Sequence, residues 1–252
     1  MTLTVPQTAP LPAPGWEPAG NVSRRNTALR RAVGALAGCT GRTLEVGAGT
    51  ARFLRAIRAE VPALQAHASD RDAPSLQRAL SADPALGVTQ SDLTALPYRD
   101  AAFDVVLVFD VLEHLHQPDL GARELARVTA RGGVLHALIP CEGQPFTLHW
   151  LMWRLGIKAD LKERRVGHVQ RFTHYSALRL LESSGFRVTA ASWSMHPAGQ
   201  LRDVLSYLSD DTGLPSMLRR SPLLKALLGT LWVIAYAEAA VLQRVSFSAV
   251  GL

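Results

Sequence analysis

"TLEVGAGTARFL", residues 43–54, decides how the rest of this 252-residue chain is read. An apolar stretch suited to a strand runs through Gly47 and Gly49 into the start of a helical pattern, the layout of a nucleotide-binding βα turn. Two residues spoil the dinucleotide version of that turn. Gly-x-Gly-x-x-Gly needs its third glycine where Arg52 stands, at the point where helix and strand pack closely. Glu45, just before the loop, would set a carboxylate near a pyrophosphate. Both objections vanish for a nucleoside ligand that lacks phosphate and carries a cationic end.

On either side of the loop, short apolar runs alternate with helical patterns. Strands are expected at 43–47, 64–70, 87–92, 103–110, 134–140 and 186–195, and helices at 50–60, 74–80, 118–130 and 174–184. Thr173 is placed to cap the last of these and Gly185 to end it. Apolar residues at 29, 33 and 36 predict a further helix stopped by Gly38. Strand and helix repeated in this way predict an α/β fold with a parallel sheet covered on both faces, and ligands at the carboxyl ends of the strands. Residues 141–171 and 196–244 interrupt the alternation and are expected to be insertions on the substrate or interaction side of one domain spanning 21–252. Five prolines between residues 6 and 18 make 1–20 an extended, flexible arm in expectation.

Written as acid-x-Gly-x-Gly-x-small, the opening stretch places Glu45, Gly47, Gly49 and Ala51 in a pattern that resembles motif I of class I S-adenosylmethionine-dependent methyltransferases. Ala51 departs from the glycine common at its position. The resemblance continues in register over about 43–140, through "QSDLTALPYRDAAFDVVLVFDVLEHL" (90–115) and "RVTARGG" (127–133), with a weaker echo at 168–186. It implies S-adenosyl-L-methionine as cofactor and a three-layer Rossmann-like sandwich. In that family the seven-stranded sheet is mostly parallel with an antiparallel last strand, for which "VSFSAVG" (245–251) is placed. The implied cofactor contacts are Glu45, Gly47, Ala48, Gly49, Asp70, Arg71, Asp92, Leu93 and Phe109. Among them Asp70, 21 residues after Gly49, would take the ribose and Asp92 the adenine amino group.

Methyl transfer to an activated carbon chiefly requires alignment of a nucleophile and exclusion of water. The implied activity is transfer to a small-molecule or lipid-like acceptor; a non-catalytic nucleotide-binding module and an NAD-linked oxidoreductase are the alternatives. His114 and His168 are the candidate bases, since imidazole titrates near neutrality. Asp110, Glu113 and His114 have a spacing that resembles the metal site of a minority of the family, with His116, His136 or His149 available as a further ligand. The same short motif occurs in metal-independent relatives, so no metal is expected. "FTLHWLMWRLGI" (146–157) is suited to a core helix or a substrate lid.

A net charge of +6 and a pI near 9.9 favour an anionic partner, but the basic residues are dispersed. Nucleic acid is disfavoured, because neither a binding module nor a dense basic stripe interleaved with aromatics is present. Two cysteines, Cys39 and Cys141, make no disulfide framework and fit a reducing, cytoplasmic setting. The N-terminal stretch lacks a secretory signal pattern, so export by that route is not expected. Near the other end, the uncharged run from 226 to 237 has 12 residues, against the ~20 needed to span a bilayer core. With Arg219, Arg220, Lys225 and Arg244 around it, 219–244 is read as a helix packed on the domain or a partner, with a peripheral membrane contact and then a true span as the alternatives.

Overall fold

Strand β1 (Gly41–Val46) is buried along its last four residues, Thr43 through Val46, which marks a central strand covered on both faces. It lies between β2 (Leu64–Asp70) and β4 (Phe103–Phe109), and the order β3-β2-β1-β4-β5 is completed by β3 (Gly87–Gln90) and β5 (Thr129–Pro140). All four pairings in this set are parallel. The computed structural model describes residues 22, 26–157, 161–210, 221–242, 244, 250 and 251. The proline-rich arm at 1–20 and most of the last expected strand lie outside the described residues.

Alternation along β4 sorts the core into two layers. Val105, Leu107 and Phe109 face one layer, with Leu29 of α1 (Thr27–Ala35), Leu54 and Ile57 of α2 (Arg52–Glu60) and Leu76 of α3 (Ala73–Ala82). Val106 and Val108 face the other, with Leu125 and Val128 of α4 (Pro118–Val128) and Ala177 of α7 (His174–Ser183). Thr173 caps α7 in a reciprocal capping box with Ser176, as its position predicts, and Gly185 follows at φ 104°.

Beyond β5 the expected seven-stranded sheet with an antiparallel last strand is met in part: five parallel strands form the sheet proper, and of the expected last strand only Val250–Gly251 (β7) lies among the described residues, pairing antiparallel with Ile139 and Pro140 and with Trp193–Ser194 (β6). Of the strand expected at 186–195, only Trp193 and Ser194 pair.

The two interruptions form helices. Residues 141–171 hold α5 (Leu148–Arg154) and α6 (Leu161–Val166), and α8 (Pro197–Asp210) packs against α9 (Pro222–Val241). One face of α9 is tied to the domain. Arg31 of α1 donates to the carbonyls of Trp193 at 2.9 Å and Ala239 at 3.1 Å, Arg30 donates to the Tyr236 hydroxyl, and Glu238 accepts the Ala198 N–H at 3.0 Å. Its other face is open, with Leu223 81% and Val241 80% exposed and Val233 and Ile234 between them. By length and composition alone α9 could cross a membrane.

Candidate active site

The carboxyl ends of the five strands converge on one edge of the domain. After Val46 the chain turns through Gly47 at φ 68° and Gly49 at φ 52°, a region that glycine enters freely. A Cβ on Gly47 would lie 2.3 Å from Val111 Cγ2, so the turn admits no side chain there. Ala51 is fully buried and left-handed at φ 53°, where the family pattern allows glycine. The carboxylate of Glu45, 2% exposed, accepts the Leu54 N–H at 3.0 Å and so satisfies one of the free donors in the first turn of α2. Asp70 accepts the Gly49 N–H at 2.7 Å and the Asp72 N–H at 2.8 Å. Asp92 accepts the N–H and hydroxyl of Thr94, at 2.8 and 2.6 Å, in an Asx turn. The crevice is thus shaped by its own hydrogen bonds.

Next to Val111 stands a second constellation. A single 3₁₀ turn, Leu112–His114, follows the left-handed Asp110 (φ 52°) and carries Glu113, which is completely buried. Glu113 Oε1 is 3.7 Å from His168 Nε2 and 3.9 Å from His114 Nε2. The two rings meet edge to face at 4.9 Å. His168 Nδ1 is 2.9 Å from Glu142 Oε1, and His114 Nδ1 is 3.0 Å from the Gly167 carbonyl. Burial, then the neighbouring His168, push the His114 imidazole down to about 4. Arg71 adds to that push, while the Gly167 carbonyl opposes it.

Asp110, Glu142 and His168 border a cavity of about 380 Å³. Its opposite wall comes from α8 and α9, including Arg202, Asp203, Trp232 and Tyr236, with His149 of α5 between. His149 Nε2 is 3.0 Å from Asp203 Oδ2, which ties α5 to α8. The glycine turn is not part of this lining.

Comparison with known proteins bears on the crevice. A family model described as "Methyltransferase domain" matches residues 44–137. The chain is 37% identical over 103 residues to a Mycobacterium tuberculosis (strain ATCC 25618 / H37Rv) protein named "Probable S-adenosylmethionine-dependent methyltransferase Rv3030", covering 40% of this chain and 37% of that one. It is 32% identical over 146 residues to the malonyl-[acyl-carrier protein] O-methyltransferase of Halorhodospira halophila (strain DSM 244 / SL1), covering 56% and 47%. Residues 44–137 form a class I S-adenosylmethionine-dependent methyltransferase domain. The chain spans less than half the length of these relatives.

The methyltransferase fold extends further than the sequence match. A solved SAM-dependent methyltransferase from Aquifex aeolicus superposes with a TM-score of 0.50 at 16% identity, over 66% of this chain and 82% of that one. The [4+2]-cyclase SpnF superposes at 0.57 and 19% identity, over 94% and 84%. One scaffold therefore serves more than one chemistry, and the reaction must be argued from the site.

The crevice of the methyltransferase domain fits S-adenosylmethionine, its cofactor. Gly47 and Gly49 present backbone without side chains on either side of the buried Ala48, while Asp70 is oriented by two backbone donors at the end of β2. Arg71 follows it, its carbonyl held by Gln90 at 3.0 Å. Two of the residues expected to contact the cofactor have buried side chains. Leu93 packs in the core beside Gly121 and Leu115, and Phe109 stacks on Phe53 at 4.5 Å, because both side chains fall on the inner faces of their strand ends. The stretch 146–157 is not core: Trp153, Leu155 and Ile157 are exposed. Glu142 was not among the residues expected from sequence. Its position directly after β5, at the carboxyl edge, is the signal that would have pointed to it.

Proposed function

We propose that the protein is a methyltransferase that moves the methyl group of S-adenosylmethionine to a lipid-like small molecule held in the cavity between the sheet edge and α8–α9. The observation that carries this reading is the double role of α9. Trp232, Ala235, Tyr236 and Ala239 wall the cavity, while Leu223, Val233, Ile234 and Val241 on the same helix face outward and exposed. An apolar chain can pass from a lipid surface to the cavity along such a helix. The basic residues near it, with the net charge of +6, favour a surface of anionic lipid. The enzyme is accordingly read as cytoplasmic and peripherally membrane-associated. The bonds from Arg30, Arg31 and Ala198 hold α9 against the domain, which favours contact over crossing.

When bound, S-adenosylmethionine supplies an electrophilic methyl carbon on a sulfonium. The chain's own residues align the partners and exclude water. Asp70 and Asp92 address ribose and adenine, and Glu45 fixes α2 behind the glycine turn. The acceptor faces His168 and Glu142, which line the cavity with His114 and Glu113 behind His168, and this group handles any proton the acceptor must lose. Two measurements test the reading. Calorimetry with S-adenosylhomocysteine should give micromolar or tighter binding, and labelled cofactor incubated with a lipid extract should label a lipid. No heat at a protein concentration that reveals micromolar affinity overturns the methyltransferase reading. Label confined to water-soluble metabolites overturns the lipid-like acceptor.

A further inference from the structure

We infer that Arg202 is the anion anchor of the cavity: the acceptor carries a carboxylate or phosphate group, held by this guanidinium, besides the atom that takes the methyl. The inference rests on the reading of the cavity as the acceptor compartment and names the chemistry of what enters it.

Arg202 lies on α8 and lines the cavity. Among the described lining residues it is the one arginine, and none is a lysine. Its Nε is buried and has no hydrogen-bond partner among the described residues. Two of the acids that share the cavity are engaged with imidazoles instead. Asp203, the next residue, is 3.0 Å from His149 of α5, and Glu142 is 2.9 Å from His168. A guanidinium keeps its proton and offers only donors. Burying one of those donors without an acceptor is costly, more so for an ionised group than for a neutral one. An anion brought in by the ligand removes that cost, and the planar fork matches two oxygens of a carboxylate or phosphate. A neutral hydroxyl supplies an acceptor but leaves the charge uncompensated.

The rest of the wall shows what the anion is attached to. Leu138, Pro140, Val166, Met195, Trp232 and Ala235 are apolar, and a volume of about 380 Å³ is within the range that takes one small ligand. Apolar sides with one guanidinium fit an amphiphile, an alkyl chain that bears the anionic group. Arg202 stands on the wall opposite Glu142 and His168, so the anion is held away from the sheet edge. The methyl-accepting atom is then a second group of the same molecule, directed toward His168. Arg202 thus selects and orients the acceptor and takes no part in the transfer itself.

The test is calorimetry on the full chain saturated with S-adenosylhomocysteine, at a pH where carboxylates are ionised. The probes are decanoate, decyl phosphate and neutral decanol below their micelle concentrations, with acetate and inorganic phosphate as anions without a chain. The wild type should bind decanoate or decyl phosphate roughly 10- to 100-fold more tightly than decanol, the effect of hydrogen bonds to a charged group. Acetate and inorganic phosphate should bind far more weakly, because they bury no apolar surface. Arg202→Gln should lose the preference with decanol and S-adenosylhomocysteine affinities unchanged, and Arg202→Lys should recover part of it. Equal wild-type affinity for decanol and both decyl anions, or a preference that survives in Arg202→Gln, overturns this inference and leaves the cavity reading standing. Inorganic phosphate or acetate bound as tightly as the decyl anions overturns the amphiphile. Binding of no decyl compound at all removes the cavity reading and this inference with it, whereas a wild type that does not bind S-adenosylhomocysteine removes the methyltransferase reading itself.

Discussion

The cofactor crevice and the cavity proposed for the acceptor are assembled in different ways. The residues that shape the crevice lie within five positions of the carboxyl end of β1, β2, β3 or β4, and hydrogen bonds that orient it run between neighbouring strand ends, Gly49 to Asp70 and Ala48 to Ser69. The cavity draws on side chains from Asn26 to Ala239, held by contacts that span much of the chain, such as Arg31 to Ala239. The first compartment is a property of the sheet, and it matches other methyltransferase domains. The second depends on how helices dock on that sheet.

Changes beneath the crevice should therefore act on folding and cofactor binding, and changes on α9 on neither. The largest effect is expected for Leu107→Ala, which opens a cavity in the fully buried centre of β4. It should lower unfolding free energy by about 2–5 kcal/mol, read from denaturant midpoints. A loss under 1 kcal/mol would show that the sheet half does not carry the stability.

His136 on β5 gives the next largest, pH-dependent effect. Its Nε2 is buried without a hydrogen-bond partner, and burial, then Arg31, lower the imidazole to about 4. The unfolded chain takes up a proton near pH 6.5 that the folded chain refuses until about pH 4, so this group's contribution falls as pH drops through that window. Between pH 7 and pH 5 the wild type should lose about 2 kcal/mol more than His136→Gln. Parallel curves for the two proteins would refute the assignment.

Asp70→Ala should weaken S-adenosylhomocysteine binding roughly 10- to 100-fold, the effect of about 1.5–3 kcal/mol from hydrogen bonds to a charged group. Its thermal midpoint should change little. Full affinity would move the ribose away from β2. The smallest stability effect, within about 0.5 kcal/mol, is expected for Val233→Ser combined with Ile234→Ser on the open face of α9. The same pair should reduce sedimentation with anionic vesicles several-fold while leaving S-adenosylhomocysteine affinity intact. Undiminished vesicle binding would sever the proposed link between α9 and lipid.

Much of the crevice was legible in the sequence because each of its parts is local. A glycine forced to positive φ, a carboxylate that ends a strand and a helix that starts two residues later leave their marks within a dozen positions. What the sequence did not show for Leu93 and Phe109 is that their side chains pack into the core, since position near a strand end does not tell which face a side chain takes. Pairing the 3₁₀ turn with His168 was beyond sequence spacing, since 54 residues separate it from His114. The sequence offered His114 and His168 as separate candidates, and only the fold brings their rings into contact.

By itself the sequence determined the α/β alternation, the glycine turn and the demand for a nucleoside with a positive end, because backbone sterics and charge act at short range. Only the tertiary structure decided that the sheet proper stops at five parallel strands, that Glu142 stands behind His168, and that α9 both walls the cavity and bares an apolar face. Those outcomes depend on the burial of one helix against another, a many-body balance of packing that no short stretch of residues contains.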